Sequence, residues 1–192
     1  ADTLGHKTGA SALLHQLDMR DAIGLAPNFG DAPLADAAHG LEAVFNHLRD
    51  HYGIAAENVV LIGQGLGASR ATVFTHDHAP TLGALVLDKP RFASLGFQDR
   101  KVMHRVLRDA TAIIAPTLVL NSGNVFDCDF AAQQRLFDRL GSGVKDISPR
   151  PEHSRDLAQQ ISQFTALSLA APAKTAVALR QADQAGYTAD EY

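Results

Sequence analysis

One cysteine, Cys128, stands in the whole chain. A single thiol excludes a framework of intrachain disulfides and leaves the redox compartment open. Basic runs are missing too: seventeen Lys and Arg face twenty-one Asp and Glu with the signs interspersed, for a formal net charge of -4. That balance argues against nucleic acid or an anionic membrane as the main partner. No apolar run approaches the roughly 18 residues a membrane span needs, and the chain has neither an internal repeat nor a recognisable linker. An initiating Met and a signal peptide are both lacking. The opening Ala1-Asp2-Thr3 fits a processed mature end as well as a fragment boundary, so exported and cytoplasmic locations are equally compatible.

What the chain does have, at 192 residues and 46% hydrophobic, is enough apolar material for one domain with a real core. Gly9 to Leu17 reads as a short helix with Leu13, Leu14 and Leu17 inward, and Ala22 to Pro27 as a short strand ended by turn formers. From Pro33 the period becomes helical: Leu34, Ala38, Leu41, Phe45, Leu48 and Tyr52 share a face, with Asp31 as the expected cap and Gly53 as the stop. Strands are then expected at Val59–Ile62, Gly83–Asp88, Ala115–Leu120 and Val144–Ile147. Helices are expected at Ala68–His78, Arg100–Ala110 and Phe130–Leu140, with a last one carrying Leu157, Ile161, Phe164 and Leu167. Unbroken apolar strands alternating with helices predict an α/β fold, a mainly parallel sheet with helices on both faces. Residues 1–169 form the expected domain, and 170–192, Ala-rich and then acidic, a helical extension or tail.

The stretch that organises the rest is Val59-Val-Leu-Ile-Gly63-Gln64-Gly65-Leu66-Gly67-Ala68, a buried strand turning sharply into a helix. It resembles the nucleophile elbow, G-x-S-x-G, of the α/β-hydrolase fold family, with Gly65 where the serine belongs. Pro116 to Gly123 followed by Asp127 and Asp129 resembles the strand and loop that deliver the family's acid. Pro151-Glu152-His153-Ser154 resembles the segment that delivers its base, and Gly5-His6-Lys7-Thr8-Gly9 falls where the family keeps its oxyanion loop. The resemblance covers about residues 4 to 168, with the first two strands of the family missing and no lid insertion. It implies His153 as the base and Asp127 as the acid, with Asp129 as the alternative. It also implies an oxyanion site at the backbone N–H groups of Leu66 and Lys7.

Gly65 departs from the family in a telling way. The elbow strains a non-glycine residue by about 1–3 kcal/mol, so a chain that no longer used the serine would relax to glycine. The expectation is a degenerate hydrolase, non-catalytic or weakly catalytic, that binds a small-molecule or acyl-type ligand and assembles with a protein partner or with itself. Two alternatives stay open. One is a hydrolase of an ester, thioester or amide that uses His153 and an activated water. The other is a dinucleotide-binding module, since Gly63-x-Gly65-x-x-Ala68 is also G-x-G-x-x-A and Asp88 ends the next strand about twenty residues on. No cofactor and no metal is expected: His76-Asp77-His78 reads as a solvent-exposed helix end, and His39, His47 and His51 show no ligand spacing. Ser69 reads as a packing residue, and Cys128, between two acids, as a poor thiolate.

Overall fold

The computed structural model describes Leu17 and residues 24–79, 81–93, 95–123 and 129–184, the last part from 171 on by its backbone alone. Its first element is the helix α1, Leu34–Tyr52. Strand β1, Val60–Gln64, leads into α2, Leu66–Asp77, and β2, Ala84–Asp88, into α3, Phe97–Arg108. Strand β3, Thr117–Asn121, precedes α4, Phe130–Arg139. The order closes with β4, Lys145–Pro149, and the long helix α5, Ser154–Gln184.

The four strands lie in the order β1-β2-β3-β4 and every pairing is parallel. Right-handed crossovers that always step in one direction place their helices on one face. Leu85, Leu87 and Val119 accordingly share a cluster with Phe74 of α2, Met103 of α3 and Leu136 of α4. The alternate residues Val86, Leu118 and Leu120 turn to the other face, against Leu157 and Ile161 of α5 and against Leu17. Strands β2 and β3 are buried along their whole length, whereas β1, without a strand on its outer side among the described residues, is only half-buried over Val60–Ile62. No helix among the described residues is long and apolar enough to cross a membrane.

The middle of α2, from Ala68 to Thr75, is buried on every side, its polar residues included. Thr72 and Thr75 satisfy their hydroxyls on the carbonyls of Ala68 and Ala71, at 2.8 Å each, the back-bond that lets threonine sit inside a helix. Arg70 is buried as well and donates to the carbonyls of Gly30 and Ala32, fixing the turn that launches α1. Burial lowers its pKa, against the raising pull of Asp99 and Asp31.

Several expectations are corrected. Residues 24–27 form no strand and are exposed, Leu25 at 49%; Gly24 and Pro27 interrupt the apolar run and β1 does not pair with it. Asp31 makes no cap bond to α1. The N–H of Leu34 donates instead to Asp99 Oδ1 of α3 at 2.9 Å, a cap delivered from a distant part of the chain. Tyr52 and Leu167 are exposed, at 57% and 68%. Helix α3 begins at Phe97, three residues earlier than the apolar period indicates.

Candidate functional site

In a parallel sheet the loops that follow the strands gather at one edge, and that edge is where such folds bind ligands. Four segments meet here: Gly65 after β1, Lys89–Ala93 after β2, Ser122 and Gly123 after β3, and Arg150–His153 after β4.

The turn after β1 is tight enough to dictate two glycines. A Cβ on Gly63 would lie 2.5 Å from the Ala68 Cα and 2.6 Å from the Gly67 oxygen, so strand and helix approach closely only because that side chain is absent. Gly65 has φ 55° and ψ -117°, a conformation that costs any residue with a Cβ. Space is not the obstacle there, since the nearest atom to a Cβ on Gly65 would be Arg91 Nε at 4.0 Å. The Gly65 N–H donates to the Asp88 carbonyl at 2.8 Å, and its own carbonyl accepts from Ala68, Ser69 and Arg91. No side chain caps α2, so by helix geometry the half-buried amides of Leu66 and Gly67 open the helix without an intrahelical acceptor.

Three side chains hold the loop after β2. Ser69 donates its hydroxyl to the Arg91 carbonyl. Gln133 Nε2 donates to the Pro90 carbonyl at 2.8 Å. Asp129 Oδ1 accepts from the Phe92 N–H at 2.6 Å and also from the Ala93 N–H. Together they set Arg91 beside Gly65. At the head of this loop Lys89 takes φ 49°, the sole positive φ of a non-glycine among the described residues, and its N–H donates to the Leu120 carbonyl at 2.8 Å.

Asp88 is in register with Gln64 and Leu120, which puts its side chain on the α5 side of the sheet. It is 1% exposed. Its Oδ1 takes the Arg150 Nε at 2.8 Å and its Oδ2 the Gln64 Nε2 at 3.0 Å. The Arg150 N–H donates to the Asn121 carbonyl at 2.9 Å, so one residue ties β2, β3 and the end of β4 together. A ribose-binding role for Asp88 would require breaking this pair.

His153 is exposed at the start of α5, where its carbonyl accepts from the Leu157 N–H at 3.1 Å. Asp129, the alternative acid, is 7% exposed with Oδ1 turned to the loop after β2. Asp127, Cys128 and Lys7 lie outside the described residues. The structure therefore brings Gly65, Leu66, Asp88, Asp129 and His153 to one edge of the sheet by topology. It adds Lys89, Arg91 and Arg150, which motif reasoning passed over. Their common signal is position: each stands within three residues of a strand's C-terminal end. Lys89 and Arg91 add positive charge to this edge, and Arg150 is paired there with Asp88.

Among the described residues no three His, Cys, Asp or Glu side chains converge at this edge. A shallow depression of about 300 Å³ lined by Asp31, Pro33, Phe97 and Asp99 lies beside the starts of α1 and α3, and no residue of the Gly65 turn contributes to it. In the segment His76-Asp77-His78, Asp77 and His78 are exposed, as the sequence indicates, and His76 is half-buried. His76 Nδ1 lies 2.6 Å from Asp77 Oδ1 with its side chain 8% exposed, and Arg105 grips both Asp77 oxygens at 3.0 and 2.7 Å.

No protein-family model matches the chain, and no curated protein matches it in sequence. Among solved structures the fold is similar to that of the monoacylglycerol lipase of Paleococcus ferrophilus. The TM-score is 0.60 over 72% of this chain and 77% of that one, at 14% identity. The four parallel strands with helices around them are an α/β fold that resembles the α/β-hydrolase fold.

Proposed function

We propose that this chain is a degenerate α/β-hydrolase-fold protein, a binding or assembly protein with little or no catalysis of its own. The observation that carries the reading is Gly65. It stands at the apex of a sharp strand-to-helix turn, at φ 55° and ψ -117°, with no atom nearer to where a Cβ would stand than Arg91 Nε at 4.0 Å. A conformation that strains any other residue is retained although no nucleophile uses it.

The ligand site is the space over Gly65. The amides at the start of α2 supply an oxyanion-type cradle, Arg91 supplies a cation, and His153 overlooks the edge from α5. An acyl-type small molecule, with a carbonyl or carboxylate at its polar end, suits this arrangement, and the likeness to a monoacylglycerol lipase supports that class. The outer side of β1 suits a protein partner or a second copy, because an open strand edge is otherwise an aggregation hazard.

The test is hydrolysis of a short-chain p-nitrophenyl ester series by the native protein, His153→Ala and Gly65→Ser. Silence in the native protein with turnover gained in Gly65→Ser is the expected outcome. Native turnover that disappears in His153→Ala would instead establish an enzyme acting through His153 and an activated water.

A further inference from the structure

Helix α1 carries His39 and Glu42 three positions apart, on one face. Helix α2 ends at His78, the residue that closes its last turn. Packing of the two helices brings these three side chains together, with one ligand atom from each lying within 4.8 Å of the other two. His78 Nδ1 is 3.5 Å from Glu42 Oε1, too long for a good hydrogen bond but close to the separation of two ligands on one metal. Donors about 2.0–2.1 Å from a tetrahedral ion stand about 3.3 Å apart. The His78 ring is held from behind by Phe74, stacked at 5.6 Å and 14°, and from the side by His39, edge-on at 5.7 Å. His39 is exposed and Glu42 half-buried, so both can rotate the remaining distance without disturbing the core.

We infer that His39, Glu42 and His78 form a site for a divalent transition metal that staples α1 to the end of α2. Two imidazoles and a carboxylate are the donor set of Zn²⁺, Co²⁺ or Ni²⁺ rather than of Ca²⁺ or Mg²⁺, which favour all-oxygen shells. Three protein ligands leave a coordination position for water or for a donor from outside. The site lies at the opposite end of α2 from Gly65, about 18 Å away along twelve helical residues. Its role is thus in holding the fold, independent of whatever binds over Gly65. Sequence spacing conceals it, because His78 reaches the pair only through the packing of α2 on α1.

The experiment is calorimetric titration of the untagged full chain with Zn²⁺, with Co²⁺ absorption as a geometric readout, on the native protein and on His39→Gln, Glu42→Gln, His78→Gln and His51→Gln. The last variant is the control for the neighbouring His47–His51 pair, whose rings lie 4.2 Å apart and form the competing chelator on α1. The expected result is one equivalent bound and a Tm raised by about 5–10 °C at a metal concentration a hundred times Kd. Affinity should fall at least about tenfold in each of the first three variants and be unchanged in His51→Gln. Absence of saturable binding, binding kept in all four variants, or binding lost in His51→Gln and kept in His78→Gln would each overturn the proposal.

Discussion

Two glycines two residues apart make opposite demands on the backbone. Gly65 has a positive φ with open space around it, while Gly67 has neither a positive φ nor an atom within 4 Å of a Cβ. Gly65→Ala should therefore lose about 1–3 kcal/mol through backbone strain alone. Gly67→Ala should be neutral or stabilising by up to about 1 kcal/mol through helix propensity. Urea midpoints of the two variants check this, and equal effects would remove the strain from the account. Arg150 belongs to the same scale. Asp88 is 1% exposed and its partner 21%, so Arg150→Met leaves a buried carboxylate unpaired and should cost about 3–5 kcal/mol. Adding Asp88→Asn to that variant should recover part of the loss, and an unchanged midpoint in Arg150→Met would contradict the pairing.

At the scale of elements, the end of α2 is tied to α3 through Asp77 and Arg105. Burial, the largest single influence, pushes the Asp77 carboxyl up. Hydrogen bonds from Arg105 and His76, with their charges, outweigh it and leave its pKa below the usual value. A lowered folded-state pKa means a contribution that is present above the unfolded value of about 3.9 and is lost as pH falls through the folded value. Arg105 is 49% exposed, so solvent screens the pair and Asp77→Asn should cost no more than about 1 kcal/mol at pH 7. Unfolding curves of native and variant should converge as the pH is taken down below that range; a gap that widens would reverse the sign.

These elements also show what the sequence discloses and what it hides. The strands β2 and β3 are legible because burial on both faces leaves an unbroken apolar run, and α1 because its apolar period lasts five turns. The exposed run at residues 24–27 has the same composition as a strand without a neighbour to pair with. Leu167 is exposed because it points away from the face of α5 that Leu157, Ile161, Thr165 and Ser168 bury. At the candidate site the glycine turn was legible, since local backbone geometry writes itself into local residues. The Asp88–Arg150 pair, the Asp99 cap of α1 and the Asp129 anchor of the loop after β2 were not. Each joins groups that only tertiary packing brings together, and a charged residue in a sequence does not declare its partner.

For the whole molecule, the strand order leaves β1 at an edge with no strand beyond it among the described residues. A second copy, a partner, or the segment from Ala170 to Tyr192 should cover it. Light scattering over a wide concentration range, on the full chain and on one ending at residue 169, checks this. Either the chain associates or the shortened form loses stability; a monomer at high concentration that tolerates the truncation without cost would contradict the prediction.

The central claim, a hydrolase-like edge whose nucleophile position is vacant of a side chain, is tested most directly by intact-mass measurement after treatment with a fluorophosphonate. That probe phosphonylates an activated serine, whose oxygen displaces fluoride. The account predicts no adduct on the native protein and one adduct on Gly65→Ser, at residue 65, lost again when His153→Ala is added. A His153-dependent adduct on any serine of the native protein would contradict it, and silence in both proteins would remove the retained oxyanion cradle.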